Sequence, residues 1–463
     1  MKEEMQKTKR GCHAETGTES RGMHGVQTCM GITENNLVEV PNVEGDLLTQ
    51  ILSPSNMNLA YRRVVSNAGR GGIDGMEVKE LLPYLRSHKD ELARKLLDGK
   101  YRPNPVRRVE IPKDNGKKRP LGIPTVVDRL VQHSIAQVLQ PMYEPQFSPN
   151  SFGFRPHRGA QQALRCAQSI INEGNRFCID LDLEQFFDSV NHSKLIEVIG
   201  KTVKDGRVVS LIHKYLNAGV MVAGRYEETR KGVPQGGPLS PLLSNIMLNE
   251  LDKELTKRGH PFVRYADDCM IFCRSERAAG RILESITKFI EGKLFLKVNR
   301  DKTDTGSVCG KKFLGYSFYF DKEGKCQLRL HSKTIDKLKA KLKELTGRSN
   351  GMGYGQRKEA LSLFISGWVE YYKLARMKKT LETIDKWLRR RIRMCIWKSW
   401  KNPRTRIANL IKCGVPKWQA WKQGWMKGYW HASNMWVTSQ AMSNSNLYRA
   451  GYRCLMDYYV LVS

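Results

Sequence analysis

Phe262-Val263-Arg264-Tyr265-Ala266-Asp267-Asp268-Cys269-Met270-Ile271-Phe272 places two short apolar runs on either side of a pair of adjacent aspartates. The runs read as two strands, and the carboxylates then fall at a hairpin turn. Asp is common in turns for its own backbone hydrogen bonds, so the pair alone also fits an ordinary turn. Adjacent like charges held rigidly repel and raise each other's pKa, and a divalent cation compensates them. Metal binding is therefore the first expectation, and the rest of the chain has to supply its partners.

One partner is Phe177-Cys178-Ile179-Asp180-Leu181-Asp182-Leu183-Glu184, which alternates apolar and acidic residues at period two. That pattern predicts a strand with three carboxylates on one face and a core on the other. Strands are depleted in Asp, so such a face again calls for a cation. If this strand lies beside the hairpin, one of its aspartates joins Asp267 and Asp268 around two divalent ions. Magnesium suits hard oxygen ligands and keeps waters and substrate phosphates in its shell. Two such ions activate an attacking hydroxyl and stabilise a leaving phosphate oxygen, which is the chemistry of nucleotidyl transfer to a primer 3′-hydroxyl. A second partner is the turn-rich loop Lys231-Gly232-Val233-Pro234-Gln235-Gly236-Gly237-Pro238. Its glycines permit close backbone approach, and Gln235 offers both donor and acceptor to a nucleotide.

Composition points to the same kind of substrate. The chain has 463 residues, 40% of them hydrophobic, enough for two to four domains with real cores. Its net charge of +32 calls for a polyanionic partner, nucleic acid ahead of a membrane surface. Residues 331–463 hold 27 Lys+Arg against 7 Asp+Glu, and all nine tryptophans, from Trp368 to Trp436. Basic groups interleaved with aromatic rings suit structured or single-stranded RNA, although about half of these rings are expected to fill helical cores. The eleven cysteines show no Cys-x-x-Cys pair and no zinc spacing, as expected of reduced thiols in a cytoplasmic protein. No signal peptide and no apolar stretch of membrane-spanning length is found.

Along the chain, residues 1–45 lack periodicity and are expected to be mobile. Leu59 to Leu97 has helical spacing interrupted by Gly69-Arg70-Gly71-Gly72, and the proline-rich basic segment Tyr101 to Pro124 favours strands or hairpins. From there to about Tyr319 strand-like and helical pieces mix, an α+β pattern. Beyond His331 the reading is almost wholly helical. Ile335, Leu338, Leu342 and Leu345 share one face, as do Ile384, Trp387, Leu388, Ile392 and Cys395 in the next such segment.

The ordered set Phe152-Gly153-Phe154-Arg155-Pro156, Asp182 to Phe187, Pro234-Gln235-Gly236, Tyr265-Ala266-Asp267-Asp268, Leu296-Lys297-Val298-Asn299 and Phe313-Leu314-Gly315-Tyr316 resembles the reverse transcriptase blocks of group II intron-encoded proteins. The resemblance runs from about residue 55 to the C-terminus. It implies a right-hand polymerase, with fingers, a palm carrying an antiparallel sheet, and a helical thumb followed by a mainly helical maturase region. The implied division is residues 46–330 for fingers and palm, 331–402 for thumb and maturase domain, and 403–463 for a basic, Trp-rich nucleic-acid-binding tail.

The resemblance also selects Asp182 as the third catalytic, metal-binding aspartate beside Asp267 and Asp268, and leaves Asp180 and Asp188 supporting. It makes Phe187 a steric gate that favours dNTPs, Lys113 and Arg119 the grip on the triphosphate, and Lys302 a candidate general acid toward pyrophosphate. The implied cofactor is Mg2+ as two ions, with Mn2+ as a substitute. The implied partners are a group II intron RNA, a target DNA or primer, and dNTPs, with no membrane. After Trp400 there is no His-Asn-His cluster and no paired Cys motif, as in the bacterial, endonuclease-less relatives. The expected function is copying and splicing of an intron RNA during retrohoming. An RNA-binding splicing factor with a dispensable polymerase, and a domesticated reverse transcriptase in repair or defence, are the alternatives.

Overall fold

The computed structural model describes residues 46–112, 116 and 118–462. The expectations placed on residues 1–45 and on Lys113 lie outside the described residues.

Among the described residues eleven strands form three sheets. In the N-terminal part β1 (Val106–Pro112) and β2 (Lys118–Ile123) make an antiparallel hairpin with Ile111 opposite Arg119. The five prolines of this segment ruled out a helix, and Pro112 and Pro120 duly stand in the paired strands. β3 (Phe177–Leu181) follows, then β4 (Val220–Val222) and β5 (Arg225–Glu227), which extend the first sheet in the order β2-β1-β4-β5. The central sheet joins β6 (Phe262–Tyr265), β7 (Asp268–Cys273), β3 and β8 (Asp304–Ser307) in the order β6-β7-β3-β8, with every pairing antiparallel. A third sheet of β9 (Lys312–Phe313), β10 (Tyr316–Phe320) and β11 (Cys326–Leu330) precedes the helical part, whose first helix is Ser332–Leu345.

The central sheet is covered on both faces. Ile179, Leu181, Cys269 and Ile271 belong to a hydrophobic core shared with the N-terminal helices. Their strand neighbours Cys178, Met270 and Phe272 belong to a second core that continues through Leu338, Leu388 and Trp397 in the C-terminal helices. Burial on both sides explains why β7 reads as an unbroken apolar run instead of an alternation. The helix Ser240–Lys257 crosses the N-terminal core and buries residues all round its circumference, from Leu242 and Asn245 to Asp252 and Leu255.

The C-terminal helices follow the apolar spacing of the sequence. Leu338, Leu342 and Leu345 are buried on Ser332–Leu345, and Ile384, Leu388, Ile392 and Cys395 on Lys378–Ser399. Trp397 is fully buried, while Trp418, Trp421, Trp425, Trp430 and Trp436 are exposed. Among the described residues every cysteine is a free thiol, and most are buried.

Candidate active site

The β6–β7 hairpin pairs Tyr265 with Asp268, so its two-residue turn is Ala266-Asp267. Asp267 stands in the turn, whereas Asp268 is the first residue of β7 and not a turn residue. Ala266 has φ +57, a left-handed backbone that residues other than glycine seldom adopt. β3 runs antiparallel to β7, with Leu181 opposite Cys269 as the last pair. One residue further on, Asp182 and Asp268 emerge at the same end of adjacent strands. Asp268 feels Asp267, Asp180 and Asp182. Its carboxyl is pushed up to about 6, by desolvation first and then by these neighbours. Asp180 lies deeper in β3 and is also raised to about 6, by burial above all, with Lys311 opposing the shift. Glu184, the third acidic residue of the alternating stretch, is exposed beyond the end of β3, where its backbone N–H donates to Lys297 O at 2.8 Å.

Asp182 is anchored from the segment 299–303. Asn299 N donates to its carbonyl at 2.9 Å, and Thr303 Oγ1 accepts from its backbone N–H at 3.2 Å. Lys302 Nζ donates to Asp182 Oδ2 at 3.1 Å, which places the candidate general acid at the edge of the acidic cluster. Among the described residues no group of three His, Cys, Asp or Glu side chains is drawn together closely enough to hold an ion. The donor chemistry still fits a hard divalent cation. The carboxylates at the ends of β3 and β7 are all oxygen donors, and the raised Asp268 reflects burial first and then repulsion from its acidic neighbours, both of which a cation would offset.

A cavity of about 410 Å³ is lined by Arg119, His133, Phe154, Phe187, Gln235 and Pro241. Phe187 follows Asp182 by five residues because β3 turns directly into the short helix Phe186–Ser189, and its ring is buried edge-on against Phe186 at 5.2 Å. Arg119 Nε donates to Gln235 Oε1 at 2.8 Å, so the strand β2 and the loop at 235 meet at the cavity. Their backbones are joined as well, with Gly122 N donating to Gln235 O at 2.6 Å. Gly236 takes φ +116, and a Cβ there would stand 2.6 Å from the Gly122 carbonyl oxygen, so glycine is required.

Several groups at this site were not singled out from the sequence. His133 lines the cavity from the helix Val126–Tyr143 and is held down to about 4 by burial and by Arg63 and Arg129, so its imidazole is neutral near pH 7. Under the hairpin turn, Arg264 is fully buried against Asp252. The available signal was an arginine inside the apolar run of β6 and an aspartate inside an apolar helix. The Phe152-Gly153-Phe154 segment abuts the turn, since a Cβ on Gly153 would lie 2.2 Å from Ala266 N.

Comparison with known proteins bears on both halves of the chain. Residues 111–318 match the family model "Reverse transcriptase (RNA-dependent DNA polymerase)", and residues 335–414 match "Group II intron, maturase-specific domain". Protein YkfC of Escherichia coli strain K12 is 34% identical over 336 residues, which cover 64% of this chain and 88% of YkfC. The chain belongs to the group II intron reverse transcriptase and maturase family. Group II intron-encoded protein LtrA of Lactococcus lactis subsp. cremoris is 31% identical over 366 residues, covering 63% of this chain and 60% of LtrA. A solved structure titled "Partial Cas6-RT-Cas1--Cas2 complex" matches at TM-score 0.35 and 22% identity over 54% of this chain and 43% of that chain. Within the family's reverse transcriptase domain fall Asp182, Asp267, Asp268, Arg119, Phe187, Gln235 and Lys302, and divalent-metal dependence is general to such domains. The match to the maturase-specific domain ends at Gly414, before the exposed tryptophans Trp418 to Trp436. No helix among the described residues is long and apolar enough to cross a membrane.

Proposed function

We propose that this protein extends a DNA primer on an RNA template with dNTPs, and that its RNA is a group II intron whose splicing it assists and which it copies during retrohoming. One juxtaposition carries the reading: Asp182 and Asp268 leave adjacent strands at the same end, and Phe187, five residues after Asp182, lines one cavity with Gln235 and Arg119, in a chain that continues into a maturase-specific domain. Asp182, Asp267 and Asp268 would hold two Mg2+ ions, which when bound would lower the pKa of the primer hydroxyl and offset the negative charge of the phosphates. The protein's own groups do the rest. The Phe187 ring forms the wall that a ribose 2′-hydroxyl would strike, Gln235 orients the sugar, and Arg119 with Lys113 grips the triphosphate, the arginine as a planar fork. Lys302, at the rim of the cluster, gives its proton to the pyrophosphate oxygen released when the new phosphodiester forms.

Primer extension with purified protein, magnesium, RNA template, DNA primer and dNTPs tests this reading. Asp267→Ala is expected to abolish extension, and extension that persists in that variant sinks the site assignment. Splicing of the intron RNA by the same variant separates the two roles: unimpaired splicing assigns that step to binding alone.

The region after the maturase domain supplies a further nucleic-acid surface in this reading. The helix Lys417–Gly424 buries its small residues Ala420 and Gly424 and leaves Trp418 and Trp421 exposed, an inversion of ordinary core patterning. Gly424 sits so close to Ile407 that a Cβ would meet its Cγ1 at 2.4 Å. Exposed Lys417, Lys422 and Lys427 flank Trp418, Trp421 and Trp425. Phosphate neutralisation beside free aromatic faces suits unpaired bases, each stack contributing about 1–3 kcal/mol. Oligonucleotide should quench the intrinsic tryptophan fluorescence, and replacing these three rings with alanine should weaken RNA or DNA affinity; equal affinity in the variant removes this role.

A further inference from the structure

Arg264 is a charged residue with no solvent contact, on the strand that leads into the catalytic turn. Its side chain and that of Asp252 are both fully buried. The pair is bidentate, Nε donating to Asp252 Oδ1 at 2.7 Å and Nη2 to Oδ2 at 2.5 Å. Nη1 donates in two further directions, to Asn245 Oδ1 at 3.1 Å and to the Ala266 carbonyl at 2.8 Å. A buried ion pair loses in desolvation about what it gains in attraction, so stability alone is a weak reason for one here.

The acceptor on Ala266 supplies a better reason. That carbonyl belongs to the peptide joining Ala266 to Asp267, and Ala266 is held in the left-handed region at φ +57. A strained backbone of this kind persists only where its surroundings over-determine it. Asn245, which accepts from Arg264, also donates through Nδ2 to the Gly153 carbonyl at 2.9 Å. Gly153 in turn abuts Ala266 N. The strand backbone adds two bonds at the same place, Arg264 N to Asn150 O and Phe152 N to Arg264 O, both 2.9 Å. We infer that Arg264 is a positioning residue for nucleotidyl transfer. Its guanidinium, fixed by Asp252 and Asn245 on the helix Ser240–Lys257, grips the Ala266–Asp267 peptide and so directs the Asp267 and Asp268 carboxylates. This rests on the reading of those aspartates as the catalytic pair.

The test uses full-length protein and two variants. Arg264→Met combined with Asp252→Leu removes the ion pair without leaving a buried charge alone, and so removes the grip on Ala266 while sparing the core. Arg264→Lys keeps a charge but loses the fork. The expected result for each is a kcat lower by about 10- to 100-fold, with an unchanged KM for dNTPs, a higher magnesium concentration for half-maximal rate, and an unchanged melting temperature in the double variant. Wild-type kcat and magnesium dependence in a folded double variant overturn the inference, because a merely structural pair would leave both in place. If the double variant does not fold, Arg264→Lys decides on the same kinetic readouts. Asp267→Ala is run alongside: extension surviving there defeats the active-site reading itself, whereas extension lost there but normal in the Arg264 variants defeats only the positioning role.

Discussion

Asp268 shows how crowded, buried carboxylates respond to protons. Its carboxyl stands at about 6 in the folded chain against an ordinary value of 3.8, and Asp180 beside it is displaced the same way. Between pH 3.8 and about 6 the folded protein therefore holds protons that the unfolded chain has released. These groups favour the fold most at pH below the ordinary value, and that contribution is lost as pH rises through about 6. In the proposed site a cation competes with the same protons, so at a fixed, subsaturating magnesium concentration primer extension should fall as pH drops through about 6. Asp180→Asn removes one repelling charge and should move this acid limb to lower pH; a pH–rate profile with an unmoved limb contradicts the coupling. Gly236 makes a different demand, because its φ of +116 and the nearby Gly122 carbonyl leave no room for a side chain. Gly236→Ala should cost the loop about 1–3 kcal/mol and raise the KM for dNTPs roughly tenfold, measured by steady-state extension. Asp267 and Gln235 were singled out by residue type in a turn and a loop, whereas Asp182 and Phe187 were singled out only through the family resemblance. Arg264, Asn245 and Asp252 were not legible, because an arginine in a four-residue strand reads equally well as an edge facing water.

At the scale of elements, period carried the reading where segments were long. The helices Pro54–Asn67 and Leu81–Leu97 account for the helical spacing of Leu59 to Leu97, with the glycine-rich interruption between them. The three-residue strands β4 and β5 were not anticipated, since three residues carry no measurable alternation and the parallel pairing of Val106 with Val220 joins distant parts of the chain. The last helix, Leu455–Val462, depends on a similar long-range contact. Asp385, fully buried on Lys378–Ser399, accepts from Leu455 N and Met456 N at 2.9 Å each and so satisfies two amides of that helix's first turn. Asp385→Ala leaves those amides without acceptors, at a cost of about 1–3 kcal/mol. Hydrogen exchange in residues 455–462 should accelerate while the exchange of β7 stays slow; uniform protection in the variant would show that the cap is dispensable.

For the whole molecule, the charge and tryptophan distribution separated a basic C-terminal third from the rest, but the location of the boundary between cores was hidden. Hydrophobic residues on alternate sides of β7 go to different cores, a division invisible in a run of four consecutive apolar residues. Met270 and Phe272 are covered by a core that the C-terminal helices complete. A chain ended at Leu330 should therefore aggregate or lose extension activity, which size-exclusion chromatography and primer extension would detect; a soluble, active fragment argues against shared packing. The strand that bears Asp268 is thus also an inner wall for the region that matches the maturase domain. Selection on either activity then acts on residues of both, and a lineage that ceased to splice would remain bound to keep its splicing half as ballast for the polymerase.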